Sequence, residues 1–238
     1  MSASVQRKVC VAIPIIEKEI EILGEKIKQC LEIGADLIEF RFDYLENIDS
    51  LDLVIDKVLP YKKNSIFTLR KPEEGGKYRG TESDRIALLM KLASLEPQFT
   101  DIEYSSIIQN DELADFIDQG KSRILVSWHD FARTPSNDTL VGLINDMRIY
   151  SNYIKIVTTA NTIDDSIRML ELYSLVDSRI NLVTFSMGEL GIISRVLCTV
   201  IGDSPFTYAS MEKGTVAAGQ LSINQMTKIY SLFKRKIL

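Results

Sequence analysis

The chain has 238 residues, enough for one large domain or two small ones. With 45% hydrophobic and 26% charged residues it can bury a sizeable core, and a net charge of −5 without a clustered basic stripe argues against a nucleic-acid surface. Three scattered cysteines (Cys10, Cys30, Cys198) form no C-x-x-C pair, which disfavours a disulfide framework or a zinc site and points to a reducing cytoplasm. The longest apolar stretch, Val9 to Ile16, is too short to span a membrane and contains Pro14, and the first residues lack a secretory core. A soluble, cytoplasmic protein with no membrane partner is expected.

In chain order, short β-rich runs alternate with longer stretches of helical period. Lys8–Ile13 reads as the first strand and 17–33 as the helix after it. Asp36–Phe42 is followed by 50–60, with Asp49 or Ser50 as N-cap, and Ser65–Leu69 by 82–95, capped by Thr81. Phe99–Glu103 leads to 110–119 behind Asn110, and Arg123–Trp128 to 137–150 behind Ser136. Tyr153–Val157 precedes 162–175, where Asn161 is the expected cap. Asn181–Phe185 precedes 190–201, and Phe206–Tyr208 precedes 222–235 behind Ser222. The basic tail Lys234-Arg235-Lys236 closes that last helix. No Gly/Ser/Pro linker divides the chain. Eight strand–helix units in one domain predict a (β/α)₈ barrel over residues 1–238. A doubly wound open sheet is the alternative, but it normally uses fewer strands, and no glycine-rich nucleotide turn follows the first strand.

Period two then sorts the strand side chains. In the second strand Ile38, Phe40 and Phe42 share one face, and Glu39, Arg41 and Asp43 the other. The outer face of a barrel packs on helices and must be apolar, so the charged face points into the lumen. The same logic sends Lys155 inward with Tyr153 and Val157, and groups His129 with Ser127, Asp101 with Glu103, and Arg70 with Thr68. These residues sit near the C-terminal ends of their strands, where barrel enzymes place their chemistry. A stabilising ion-pair network of Glu39, Arg41, Asp43 and Glu103 is the structural alternative, and the two readings are compatible.

His129 is the only histidine, and imidazole is the side chain suited to moving protons near neutral pH. Lys155 interrupts an apolar strand, which is costly unless its amine is wanted in a dry, reactive form. Desolvation between Ile154 and Ile156, with Arg41 or Arg70 nearby, would push its pKa from ~10.4 toward about 7–8, Glu39 and Glu103 would oppose that shift, and the sequence does not decide which effect wins. The pair points to an amine-forming enzyme with a proton shuttle.

In order along nearly the whole chain, several segments then resemble those of the type I 3-dehydroquinate dehydratases. They are Glu39-Phe40-Arg41-Phe42-Asp43, Phe67-Thr68-Leu69-Arg70 with Glu74-Gly75-Gly76, Asp101-Ile102-Glu103, and Ser127-Trp128-His129-Asp130-Phe131 with Thr134-Pro135. The Lys155 strand, Ser186-Met187-Gly188 through Ile193-Ser194-Arg195, and Gly219-Gln220 complete the set. The resemblance implies cofactor-independent dehydration of 3-dehydroquinate to 3-dehydroshikimate in the shikimate pathway, in a homodimer. It matches Lys155 to the Schiff-base lysine, His129 to the general base and acid, and Glu74 to the carboxylate supporting the histidine. Arg195 and Gln220 match groups that bind the substrate carboxylate, and Glu39, Arg41 and Arg70 groups that hold ring hydroxyls and lumen charges. Met187, Tyr208 and Thr215 are further candidates for the pocket wall. A monoanionic substrate calls for one arginine on charge grounds, and Arg195 near a helix start suits it.

Two positions depart from the family pattern. Val216 stands where a hydroxyl is usual, in a last loop that also lacks its proline, and Ala12 replaces a serine on the first strand. Both are expected to weaken affinity rather than chemistry. A class I aldolase would also use a barrel lysine, but Ser186-Met187-Gly188-Glu189 carries an acid and no glycine-rich phosphate nest. A binding or scaffold barrel would need no reactive amine.

Overall fold

The parallel ladder follows from strands that are apolar on their outer face and separated by amphipathic helices, since each crossover must return to the same end of the sheet. In a computed structural model describing residues 8–120, 122–211 and 220–233, eight strands alternate with helices. The strands are β1 (Val9–Pro14), β2 (Leu37–Arg41), β3 (Ser65–Thr68), β4 (Phe99–Glu103), β5 (Ile124–His129), β6 (Tyr153–Thr159), β7 (Asn181–Met187) and β8 (Thr207–Ala209). The helices are α1 (Leu23–Glu32), α2 (Leu51–Val58), α3 (Glu82–Ser94), α4 (Tyr104–Ile107), α5 (Asp111–Asp118), α6 (Asn137–Met147), α7 (Ile163–Leu175), α8 (Ile192–Ile201) and α9 (Ile223–Leu232). All ladders are parallel and run β7-β6-β5-β4-β3-β2-β1-β8. Among the described residues no ladder joins β7 to β8, so the barrel is closed by packing at that seam rather than by backbone pairing. Helix α8 lies across the seam: its Ser194 hydroxyl accepts from the Ser186 amide on β7 at 2.9 Å, and its Arg195 carbonyl accepts from the Thr207 hydroxyl on β8 at 2.7 Å.

The alternation places residues as expected. Ile38, Phe40, Phe67, Ile102, Val126, Ile154 and Ile156 face the helices in the main core. Phe67 meets Phe40 and Phe42 edge-on at 6.1 and 5.2 Å. Truncating such a buried ring costs about 3–5 kcal/mol. Inside, Leu37, Ile66, Phe99, Leu125, Val183 and Phe206 form an apolar floor. Register stacks the polar lumen residues above it: Thr68 lies beside Asp101, and Ser127 beside Lys155.

Several boundaries differ from the sequence expectation. The helix expected over 17–33 is a 3₁₀ turn, Glu17–Glu19, and then α1. Ser50 makes no side-chain cap; its hydroxyl turns to Glu17 instead, and Asn47 caps the preceding turn. The cap of α7 is Thr162, not Asn161, because Asp165 accepts from both backbone amides at 2.9 Å and closes a capping box. Strand β8 begins at Thr207 rather than Phe206. Helix α4 was not anticipated, a single turn being too short to show a period. The tail at 234–236 lies outside the described residues. Among those residues, no helix is long and apolar enough to cross a membrane.

Candidate active site

A cavity of about 150 Å³ opens at the C-terminal ends of the strands. Glu39, Arg41, Arg70, Glu74, His129, Lys155, Met187, Arg195, Tyr208 and Gln220 all line it. Thr215 and Val216 lie outside the described residues. Ala12 is on the wall, as are Tyr44, Phe131, Val157 and Phe185.

Lys155 sits mid-strand on β6, 5% exposed. Its amine is ion-paired rather than isolated among apolar neighbours. Asp101 Oδ2 lies 2.9 Å away, Glu39 Oε1 3.7 Å and the Tyr208 hydroxyl 3.2 Å. Each of these three groups can accept from the lysine nitrogen. Asp101 is the residue that sequence reasoning noticed but did not assign to the site. Its other oxygen accepts from Arg70 Nη2 at 2.7 Å and from Ser127 Oγ at 2.6 Å. Burial alone would raise the Asp101 carboxyl, but Arg70 and Lys155 outweigh it and hold the group well below the usual carboxylate range. The sequence signal is that Asp101 shares the lumen face of β4 with Glu103, and the register sets it beside Thr68 of β3.

The arginines expected to meet substrate divide into two kinds. Arg70 is 3% exposed and spent on Asp101, Ser127 and Glu103. Arg41 forks onto Asp43 through two bonds of 2.8 and 2.9 Å and lies over the Tyr44 ring. Both line the cavity, yet their charge is already balanced. Arg195 differs. It reaches the lumen because α8 covers the unpaired seam, and its guanidinium stacks on Phe185 at 4.2 Å. Its Nε is buried without a hydrogen-bond partner, as is Oε1 of Gln220. Burial pushes Arg195 down to about 10, and among the described residues no carboxylate offsets it. Among the described residues it is the cavity's one cation without an acid.

His129 ends β5, and its Nδ1 faces Glu74 Oε2 at 3.1 Å. Burial lowers the imidazole well below its ordinary value, and the cations Arg70 and Lys155 push the same way against Asp101 and Glu103. A neutral ring whose Nδ1–H is directed at Glu74 leaves Nε2 as the basic nitrogen. Burial raises the Glu74 carboxyl above its usual range, opposed by Arg70 and by the Ser105 hydroxyl that donates to it at 2.8 Å. Glu74 is presented by a 3₁₀ turn, Pro72–Glu74, that ends in Gly75 at φ +79°, a conformation glycine adopts without strain. Gly76 is equally constrained, since a Cβ there would overlap the Arg70 carbonyl. Glu103 anchors this loop by accepting from the Lys71 amide at 2.9 Å, while the fully buried Arg85 of α3 holds its second oxygen at 2.9 Å. Phe131, not among the site residues expected from the sequence, stacks on His129 with 18° between ring planes.

The arrangement offers a primary amine, an imidazole whose Nδ1 faces a carboxylate, and a guanidinium with no acid partner among the described residues, around one small space. That set can bind a small anion and perform proton transfer beside a carbonyl held at the amine.

A family model described as Type I 3-dehydroquinase matches residues 11–237. A 3-dehydroquinate dehydratase from Dehalococcoides mccartyi is 40% identical over 200 residues, covering 83% of this chain and 86% of that protein. A 3-dehydroquinate dehydratase from Pyrococcus abyssi is 33% identical over 216 residues, covering 89% and 95%. The crystal structure of the 3-dehydroquinate dehydratase from Aquifex aeolicus superposes with a TM-score of 0.78 at 29% identity, covering 96% of this chain and all of that one.

Proposed function

The chain belongs to the type I 3-dehydroquinase family, and from that premise we propose that it dehydrates 3-dehydroquinate to 3-dehydroshikimate through a Schiff base on Lys155. The observation that carries the proposal is the meeting in one cavity of the Lys155 amine, the His129 imidazole and an Arg195 that has no acid partner among the described residues.

Arg195 receives the substrate carboxylate, which supplies the charge its burial lacks, and Gln220 adds an amide contact. The ring ketone then faces Lys155. Amine attack and loss of water give an iminium, whose positive charge accepts the electron pair that a neutral carbonyl absorbs poorly. His129 Nε2 takes the proton adjacent to the iminium carbon. The resulting imidazolium, held by Glu74, returns that proton to the departing β-hydroxyl, so one residue serves twice if both groups leave from the same face. Water then hydrolyses the conjugated iminium and frees Lys155. Glu39 and Asp101 keep the lysine placed while the site is empty, and a positioned acid–base group contributes ~10²–10⁴-fold.

Borohydride added during turnover tests this. The expected result is a reduced adduct of substrate or product mass on the peptide containing Lys155. An adduct formed only with a phosphosugar supports an aldolase, and no adduct with any ketone leaves a binding protein. We also propose a homodimer acting in the cytoplasm; three free, buried cysteines support a reducing compartment.

A further inference from the structure

We propose that Tyr208 is a catalytic residue, its hydroxyl relaying a proton between the Lys155 nitrogen and the carbinolamine oxygen as the Schiff base forms and breaks. The inference rests on the Schiff-base reading above and assigns a group to a step which that reading left without one.

Three partners touch the Lys155 amine, and they are not equivalent. Asp101 and Glu39 are carboxylates and accept only, so they can take N–H bonds from the nitrogen but cannot donate to the lone pair of a neutral amine. A phenol both accepts and donates. Tyr208 at 3.2 Å is therefore the contact that can accept from the ammonium and donate to the neutral amine. The amine also lies over the Tyr208 ring, 4.8 Å from its centroid, so ring and hydroxyl both sit against the same nitrogen.

The ring has no freedom to swing away. It packs on Phe185 at 6.0 Å and on Phe206 at 5.7 Å, and it is 6% exposed. Besides Lys155, the phenol meets the side chain of Cys10, whose sulfur is a weak acceptor, and among the described residues no hydrogen bond ties the phenol proton to a carboxylate. Burial raises the phenol well above its ordinary value, and Glu39, Cys10 and Asp101 add to the effect. Tyr208 therefore stays protonated and serves as a two-way relay rather than as a base.

The step balances as follows. Nucleophilic attack joins Nζ to the ketone carbon, leaving an N–H in excess on nitrogen and a negative oxygen on the same carbon. The nitrogen proton passes to the phenol oxygen while the phenol proton passes to the carbinolamine oxygen. The relay closes a six-membered ring of N, H, O, H, O and C, and Tyr208 ends as it began, with one proton. The relay cancels the positive nitrogen and negative oxygen in the buried lumen without leaving a net charge on Tyr208, whereas a carboxylate performing the transfer would lose its pairing with the cations around it.

The test is rapid-quench trapping with borohydride after mixing enzyme and 3-dehydroquinate, followed by the mass of the Lys155 peptide, for the unsubstituted protein and for Tyr208→Phe. Phenylalanine retains the packing on Phe185 and Phe206, so the fold and the thermal midpoint should hold. Adduct formation is expected to slow roughly 10²-fold, the lower end for a positioned proton-transfer group, with KM changed by less than about threefold. Adduct formation at the unsubstituted rate in Tyr208→Phe would overturn the assignment while leaving the Schiff base intact. Absence of any adduct in the unsubstituted enzyme overturns the Schiff-base reading and this assignment with it.

Discussion

Replacing Arg195 by methionine should move stability and substrate affinity in opposite directions. The folded protein holds this guanidinium at about 10 against a usual 12.5, and burial is the cause. That depression corresponds to about 3 kcal/mol lost by the charged form on folding. Methionine removes the charge and keeps an unbranched stem over Phe185. It also forfeits a desolvated cation–π contact worth about 1–2 kcal/mol. The net expectation is a gain of about 1–2 kcal/mol, or about 2–8 °C in Tm for a chain of this length. Affinity goes the other way. A buried fork onto a carboxylate is worth roughly 2–3 kcal/mol, so KM should rise by roughly 30- to 150-fold. Calorimetry of both proteins with and without substrate, beside steady-state kinetics, reads all of this. A variant that melts lower than the parent and keeps its KM would refute the assignment of Arg195 as an unbalanced charge awaiting an anion.

The other predictions concern the imidazole, its carboxylate and its loop. His129 is the chain's only histidine, so its ring gives a single assignable NMR signal. Its depressed pKa predicts no titration through the ordinary value near ~6.5. Below that value the unfolded chain binds a proton that the folded site refuses, so stability contributed by His129 is complete above it and declines as the pH falls. His129→Asn should therefore lose less unfolding free energy than the parent between about pH 7.5 and 5.5, and an equal loss would contradict the neutral-ring assignment. Glu74→Gln should lower kcat by roughly 10- to 100-fold with little change in KM, because the ring loses its orienting partner rather than a substrate contact; a KM effect alone would speak against that role. Gly76→Ala should displace the Glu74 loop from the Arg70 carbonyl and depress kcat similarly; full activity would show that the loop tolerates the shift. Val216→Ser is expected to lower KM, and a higher or unchanged value would discount the loop hydroxyl as a source of affinity.

Much of the barrel was legible because one face of each strand must be apolar. Ile38 and Phe40 against Glu39 and Arg41 fix which side of β2 faces the lumen, and that parity carries over to Asp101, Ser127 and Lys155 through the ladders. Local capping was less legible. Asn161 and Thr162 are both good caps in isolation, and only the reach of Asp165 back to both amides decides between them. The site's membership could be inferred from types and positions, but its charge pairing could not. Whether Arg70 meets substrate or Asp101 depends on side-chain reach across β3 and β4, which no spacing in the sequence encodes. The same holds for Arg195, whose access to the lumen depends on the missing β7–β8 ladder.

The account depends above all on the Lys155 nitrogen being the reacting atom. Purified protein mixed with 3-dehydroquinate should generate the ultraviolet absorbance of a conjugated enone, and Lys155→Ala should abolish it. Near-normal enone formation by Lys155→Ala would contradict the amine mechanism outright.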